Sequence, residues 1–108
     1  MGQRLQDGLR TLLPEDGVGD VRGLGLIAGI EIVADKEKHR PFSVDLNVGG
    51  RLVAACRERG LISRNLADSY LLAPPLIVSS EQIDSIVEIL RDSIRETVAW
   101  ARRQKPEL

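Results

Sequence analysis

The side chains best able to do chemistry in this sequence are few and far apart. His39, the single histidine, sits in Asp35-Lys36-Glu37-Lys38-His39-Arg40-Pro41, a charged run closed by proline. Such a run reads as a solvated loop, where an imidazole faces solvent more often than it serves as a base or ligand. Cys56, the single cysteine, can form neither an internal disulfide nor a multi-thiolate metal site, and its expected state is a small buried hydrophobe. No serine, histidine and carboxylate combination stands in a setting suited to nucleophilic catalysis. Metal-ligand spacing of His and Cys and a Walker-type phosphate loop are also missing. Gly23-Leu24-Gly25 lacks the third glycine of a dinucleotide fingerprint and leads into a strand rather than a helix. Lys36, Lys38 and Lys105 lie in the charged loop and a polar tail, where no apolar pocket would activate an amine. The sequence therefore predicts no self-sufficient catalytic centre.

The elements that would position any site can be read from periodicity. Leu5, Leu9, Leu12 and Leu13 fall at helical spacing and stop at Pro14, giving a short amphipathic helix that needs a packing partner. From Val18 to Val33 the chain reads as one long extended stretch, with Leu26, Ala28, Ile30 and Ile32 on one face. Its glycines at 19, 23, 25 and 29 mark bends, bulges or close approach of another backbone or a ligand. Val48, Leu52, Val53 and Cys56 predict a helix from about Asp45 to Arg59, ended by Gly60 in a left-handed conformation. Leu61 to Asn65 and Ser69 to Ala73 read as two short strands, joined by a hairpin or a local crossover and stopped by Pro74-Pro75.

The last helix carries the clearest signal. Ser79 with Gln82 forms a capping-box pattern, and Ile83, Ile86, Val87, Leu90, Ile94 and Val98 continue one apolar stripe. Asp84, Glu88, Arg91, Asp92 and Arg95 read as its solvated face, and Trp100 is expected to pack on the first helix or cover an edge. The fold expected is a single α+β domain over residues 1–108. It has two layers, a mainly antiparallel sheet of about three strands with helices on one face, in the order α-β-α-β-β-α.

Fifteen basic and 16 acidic residues give a net charge of -1. That balance supplies no field to collect nucleic acid or anionic lipid, so neither partner is expected. No secretory h-region or bilayer-length apolar stretch occurs, which suits a soluble, cytoplasmic protein.

The ordered pieces Val21-Arg22-Gly23-Leu24-Gly25-Leu26-Ile27-Ala28-Gly29-Ile30-Glu31, Gly60-Leu61-Ile62-Ser63-Arg64 and Tyr70-Leu71-Leu72-Ala73-Pro74-Pro75-Leu76 together resemble the C-terminal small domain of class III aminotransferases. The resemblance runs from about Gly17 to Val98 and matches that family's omega-amino-acid branch. It implies a fold-type I, pyridoxal-phosphate-dependent parent that moves an amino group between an amine or amino acid and a keto acid. The cofactor lysine would belong to a large domain outside this sequence, so no cofactor site is expected here and the isolated chain should be inactive. Homo-oligomer formation is also implied.

By the same resemblance Arg64 matches an arginine that binds the substrate carboxylate, a task suited to the paired donors of a guanidinium. The plainer alternative is that Arg64 pairs with Asp68 or points to solvent. Arg22, Gly23 and Gly25 belong to the strand motif and are expected to line the pocket or to serve structurally, Arg22 by capping carbonyls or pairing with an acid. Two other readings of the whole chain stand beside this one: a free-standing binding or regulatory module, and a truncated product without independent function.

Overall fold

The structure is a computed structural model that describes residues 2–24, 27–61, 63–66, 68–72 and 79–104. Three helices, α1 (Gly2–Arg10), α2 (Val48–Glu58) and α3 (Ser80–Gln104), pack on one side of a sheet made by β1 (Val18–Leu24), β2 (Ile27–Ile32), β3 (Arg64–Leu66) and β4 (Ser69–Leu72). The sheet is antiparallel throughout, in the order β1-β2-β4-β3. This is the expected two-layer α+β arrangement with one strand more than the sequence suggested.

The extra strand comes from the stretch that read as one extended segment from Val18 to Val33. It is a hairpin, with Leu24 paired to Ile27 and the ladder running back to Val18 opposite Ile32. Buried positions change phase across the turn. Val21 and Gly23 share the helix-covered face with Ile30 and Ala28, so an odd-numbered set gives way to an even-numbered one. A continuous strand would keep its phase. Near the hairpin's open end the register shifts between Val18 and Asp20, leaving Gly19 as an extra residue. A Cβ at Gly19 would come within 2.9 Å of both Val33 methyls.

Packing rests on the apolar stripes. Leu5, Leu9 and Leu12 are fully buried, contributing roughly 5–9 kcal/mol together. That burial stabilises a nine-residue helix too short to persist alone. Leu5 and Leu9 of α1 and Leu12 of the turn after it therefore have their partner within this domain; Leu13 of the same turn stays substantially exposed. Ala28, Ile30 and Ile32 of β2 meet Leu52 and Cys56 of α2 and Leu90 and Ile94 of α3 in the common core.

Helix ends follow local chemistry. At the α3 N-terminus the Ser79 N–H donates to Gln82 Oε1 at 2.8 Å and the Gln82 N–H donates to Ser79 Oγ at 3.1 Å, the reciprocal pair that the sequence announced. The predicted Asp45 start of the second helix is replaced by a 3₁₀ turn over Val44–Leu46, after which Asn47, in a left-handed conformation at φ 48°, opens α2. Gly60 follows α2 at φ 92°, as expected for a glycine stop.

Charged residues of α3 do more than solvate it. Asp84 accepts from Arg4 at 2.8 Å, Arg91 donates to Thr11 at 2.7 Å, Arg95 holds both oxygens of Glu15, and Arg102 holds both oxygens of Asp16. These four α3 positions tie α1 and the turn after it to the long helix. Trp100 packs neither on α1 nor over a sheet edge. Its ring lies under the Arg51 guanidinium of α2, 3.5 Å from the centroid, because α2 and α3 are direct neighbours.

Candidate functional site

Register alternation divides the sheet into two faces. The row Val21, Ile30, Tyr70 and Asn65 points toward the helices, with Ile30 and Tyr70 fully buried. The adjacent row, Arg22, Gly29, Leu71 and Arg64, lies on the opposite face. No helix among the described residues covers that face, and Arg22 and Arg64 stand at its two ends, both exposed. Two arginines from sequence segments about 40 residues apart thus share one surface because pairing brings β1, β2, β4 and β3 side by side.

The two guanidinium groups differ in their surroundings. Arg22 Nε donates to Asp20 at 2.8 Å, and its Nη2 approaches Glu31 at 3.3 Å. Glu31 also meets His39 Nδ1 at 2.9 Å, so His39 joins this surface network from its loop, with a left-handed φ of 51°. The Arg22 hydrogen bond holds the Asp20 carboxyl below its ordinary range. Arg22 is therefore already committed to two acids. Arg64 has no hydrogen-bond or ion-pair partner among the described residues. Of the two plainer alternatives, exposure to solvent agrees with this placement, while the pairing with Asp68 is not made: Asp68 instead accepts from the Gly49 N–H at 3.3 Å, and burial raises its pKa.

Between the arginines the surface is low. A Cβ built on Gly29 would sit 3.8 Å from Leu71 Cδ2 and 3.9 Å from the Tyr70 carbonyl, ordinary contact distances. Nothing among the described residues requires glycine there. Beneath Arg64 the strand is anchored by Tyr70, whose hydroxyl is hydrogen-bonded to Ser63. Burial pushes the Tyr70 phenol far above its ordinary pKa and raises the buried Cys56 thiol as well. Both remain neutral, which suits a rigid floor rather than a reactive group.

Of the other expected positions, Gly23 pairs with Ala28 on the helix-facing row. Gly25, Lys105 and the Pro74-Pro75-Leu76 segment lie outside the described residues. A cofactor bound as a Schiff base needs an enclosed amine, and the two described lysines of the charged loop do not offer one: Lys36 donates to the Leu13 carbonyl at 2.8 Å and Lys38 is exposed. The described residues do not fit such a group. Glu31 and His39 were not singled out as site residues. The link from Arg22 through Glu31 to His39 becomes visible only once the hairpin brings Glu31 opposite Asp20.

Among the described residues the sheet has one helix-covered face and one open face on which Arg64 makes no side-chain bond. Comparison with known proteins identifies the domain: residues 1–94 match the family model described as aminotransferase class-III, and the chain belongs to that family. A probable gamma-aminobutyrate transaminase 3, mitochondrial, from Oryza sativa subsp. indica is 35% identical over 94 residues, covering 87% of this chain and 18% of that protein. An adenosylmethionine-8-amino-7-oxononanoate aminotransferase from Aquifex aeolicus (strain VF5) is 40% identical over 79 residues, covering 73% of this chain and 17% of that protein. Among solved structures, a thermostable omega transaminase 6-fold mutant from Pseudomonas jessenii superposes with a TM-score of 0.86 at 33% identity, over 93% of this chain and 22% of the other. The chain thus spans less than a quarter of the length of these relatives.

Proposed function

We propose that this chain works as the small domain of a pyridoxal-phosphate-dependent aminotransferase and that Arg64 binds the carboxylate of an amino acid or keto acid substrate. The observation that carries this reading is the exposed Arg64 guanidinium, without a partner among the described residues, on the face of the sheet that no described helix covers. An arginine kept for structure makes bonds such as those of Arg22 or Arg102. A guanidinium left to water, as Arg64 is among the described residues, keeps its paired donors available to a carboxylate, and the experiment below separates that role from plain exposure to solvent. The bare face would rest against a large domain that supplies the cofactor and its lysine, with Gly29 permitting close approach and Arg22 fixing the surface beside it.

In this reading the chain binds and orients substrate, helps close the site, and carries no catalytic residue of its own. The same proposal takes the complete protein as a cytoplasmic homo-oligomer. Among the described residues no helix is long and apolar enough to cross a membrane. The 108-residue chain alone should show no transaminase turnover and no borohydride-reducible cofactor adduct at a specific lysine.

The deciding experiment uses a full-length aminotransferase containing this domain and a matched pair of substrates, one with and one without a carboxylate. Arg64→Ala should lower the specificity constant for the carboxylate substrate on the order of ten- to hundredfold, equivalent to roughly 1.5–3 kcal/mol. The other substrate should be little affected, and Arg64→Lys should recover only part of the loss. Equal losses for both substrates would remove Arg64 from carboxylate binding.

A further inference from the structure

Arg64 opens a strand only three residues long, at the edge of the sheet. β3 is paired on one side alone, Arg64 with Leu71, Asn65 with Tyr70 and Leu66 with Ser69. The end of so short a strand frays unless something besides the ladder holds it, and fraying would spread the guanidinium over many positions. The hairpin is held at both ends. At its turn, Asp68 accepts from the Gly49 N–H of α2, and its carbonyl accepts from the Ile32 N–H at 3.0 Å. At its open end the tie is made on the face away from Arg64. Tyr70 is fully buried, and its phenol oxygen accepts the hydroxyl proton of Ser63, the residue immediately before Arg64. The phenol's own proton is left for the buried Cys56 of α2, which is in hydrogen-bonding contact with the same hydroxyl. The Cys56 carbonyl in turn accepts from the Leu61 N–H at 2.9 Å, so the chain entering β3 is bound to α2 as well.

A hydroxyl removed from water is costly to leave without a partner, so Tyr70 and Ser63 constrain each other's position. Packing alone would be served by a phenylalanine ring of the same shape. We propose that the Tyr70 hydroxyl is a positioning group for carboxylate binding: through Ser63 it pins the backbone at Arg64, so that the paired guanidinium donors are held near one place before a substrate arrives. This rests on the role proposed for Arg64. Tyr70 lies beneath the strand, on the helix-facing row, and acts through Ser63 alone. Restricting a binding group in advance lowers the ordering cost of binding, so its loss weakens binding and does not slow the chemistry.

The test uses Tyr70→Phe, which keeps the ring and removes one oxygen, and Ser63→Ala, at a half-buried site. In the 108-residue chain, backbone amide relaxation should show the order parameters at Arg64 and Asn65 falling from about 0.85 to below about 0.6, while those of α1 and α3 are unchanged. In a full-length aminotransferase containing this domain, either substitution should raise KM for a substrate with a carboxylate roughly three- to tenfold and leave its kcat within about twofold. A matched substrate without the carboxylate should be unaffected. Ser63→Thr, which keeps the hydroxyl, should behave as the parent does, and Tyr70→Phe should add nothing in the Arg64→Ala background. Unchanged order parameters at Arg64, equal losses for the two substrates, or a Tyr70→Phe effect that persists without Arg64 would overturn the proposal. Discrimination lost in Arg64→Ala but kept in Tyr70→Phe would overturn the positioning role alone. An Arg64→Ala enzyme that treats both substrates alike would overturn the carboxylate reading and the positioning role together.

Discussion

Arg102 in the last turn of α3 grips Asp16 with two parallel hydrogen bonds of 2.7 Å, and from the same Nη2 also reaches the Ala34 carbonyl beyond β2. One side chain thereby joins the end of the long helix, the turn after α1 and the exit from the hairpin. The Asp16 partner is largely exposed, so the ion pair itself is screened and contributes little. The carbonyl bond and the contact of the guanidinium with the Phe42 ring carry more. Arg102→Ala should destabilise the chain by about 1–2 kcal/mol, seen as a drop of several degrees in the thermal midpoint. Arg102→Lys should recover less than half, and Asp16→Asn should cost much less than Arg102→Ala. If Asp16→Asn costs as much, the ion pair is the dominant contact after all.

Gly17 and Gly60 have nearly the same left-handed backbone but opposite surroundings. A Cβ at Gly17, φ 88°, would lie 2.5 Å from Val98 Cγ2, whereas one at Gly60, φ 92°, would meet nothing within 4 Å. Gly60→Ala should cost only the conformational term, about 1 kcal/mol. Gly17→Ala should cost at least about 2 kcal/mol more, since Val98 is buried and cannot swing away freely. Urea denaturation of the two variants would measure the difference, and equal losses would show that the turn relaxes without strain.

Acid should loosen this domain. Hydrogen bonds from Arg95 and Arg102 lower the pKa values of Glu15 and Asp16, and Arg22 and Arg4 do the same for Asp20 and Asp84. A carboxyl with a depressed folded-state pKa contributes stability that is present above its unfolded value, about 4, and is lost as the pH falls through the folded value. Asp68, raised by burial, acts in the opposite sense, its penalty arriving as the pH rises through the same region. Four depressed groups against one raised group predict a falling urea midpoint between about pH 5 and pH 2. Arg102→Gln and Arg95→Gln should flatten that profile. A midpoint that stays level or rises on acidification would contradict it.

Gly29→Ala and Arg64→Ala should leave the isolated chain's stability within about 0.5 kcal/mol of the parent, because one fills permitted space and the other removes no bond among the described residues. In a complete enzyme both should be costly, Gly29→Ala by obstructing the close approach of a neighbouring surface. A large thermal shift in the isolated chain would return either residue to a structural role.

The legible parts of the sequence were those whose signals are local. The stripe from Ile83 to Val98 and the Ser79/Gln82 box defined α3 almost completely, and Gly60 ended α2 as expected. The hairpin was missed because the apolar run continues across the turn without an Asn-Gly or Asp-Gly signature. Its trace was the change of the helix-facing set from odd to even positions between Val21 and Ala28. Trp100 was misplaced because helical periodicity gives the face of a residue and not which neighbour occupies it. For the site, the family motif pointed to Arg64 but not to its surroundings. That Arg22 is held by Asp20 and Glu31, while Arg64 has no side-chain partner among the described residues, could not be read from the motif, since Glu31 comes beside Arg22 only through strand pairing.

The row from Arg22 through Gly29 and Leu71 to Arg64 has two unlike ends. Three strand spacings separate its end Cα positions, roughly 14 Å. Arg22 is tethered to Asp20 and Glu31 at one end, so under the role proposed for Arg64 the row offers an anion a single anchoring point, at the β3 edge of the sheet.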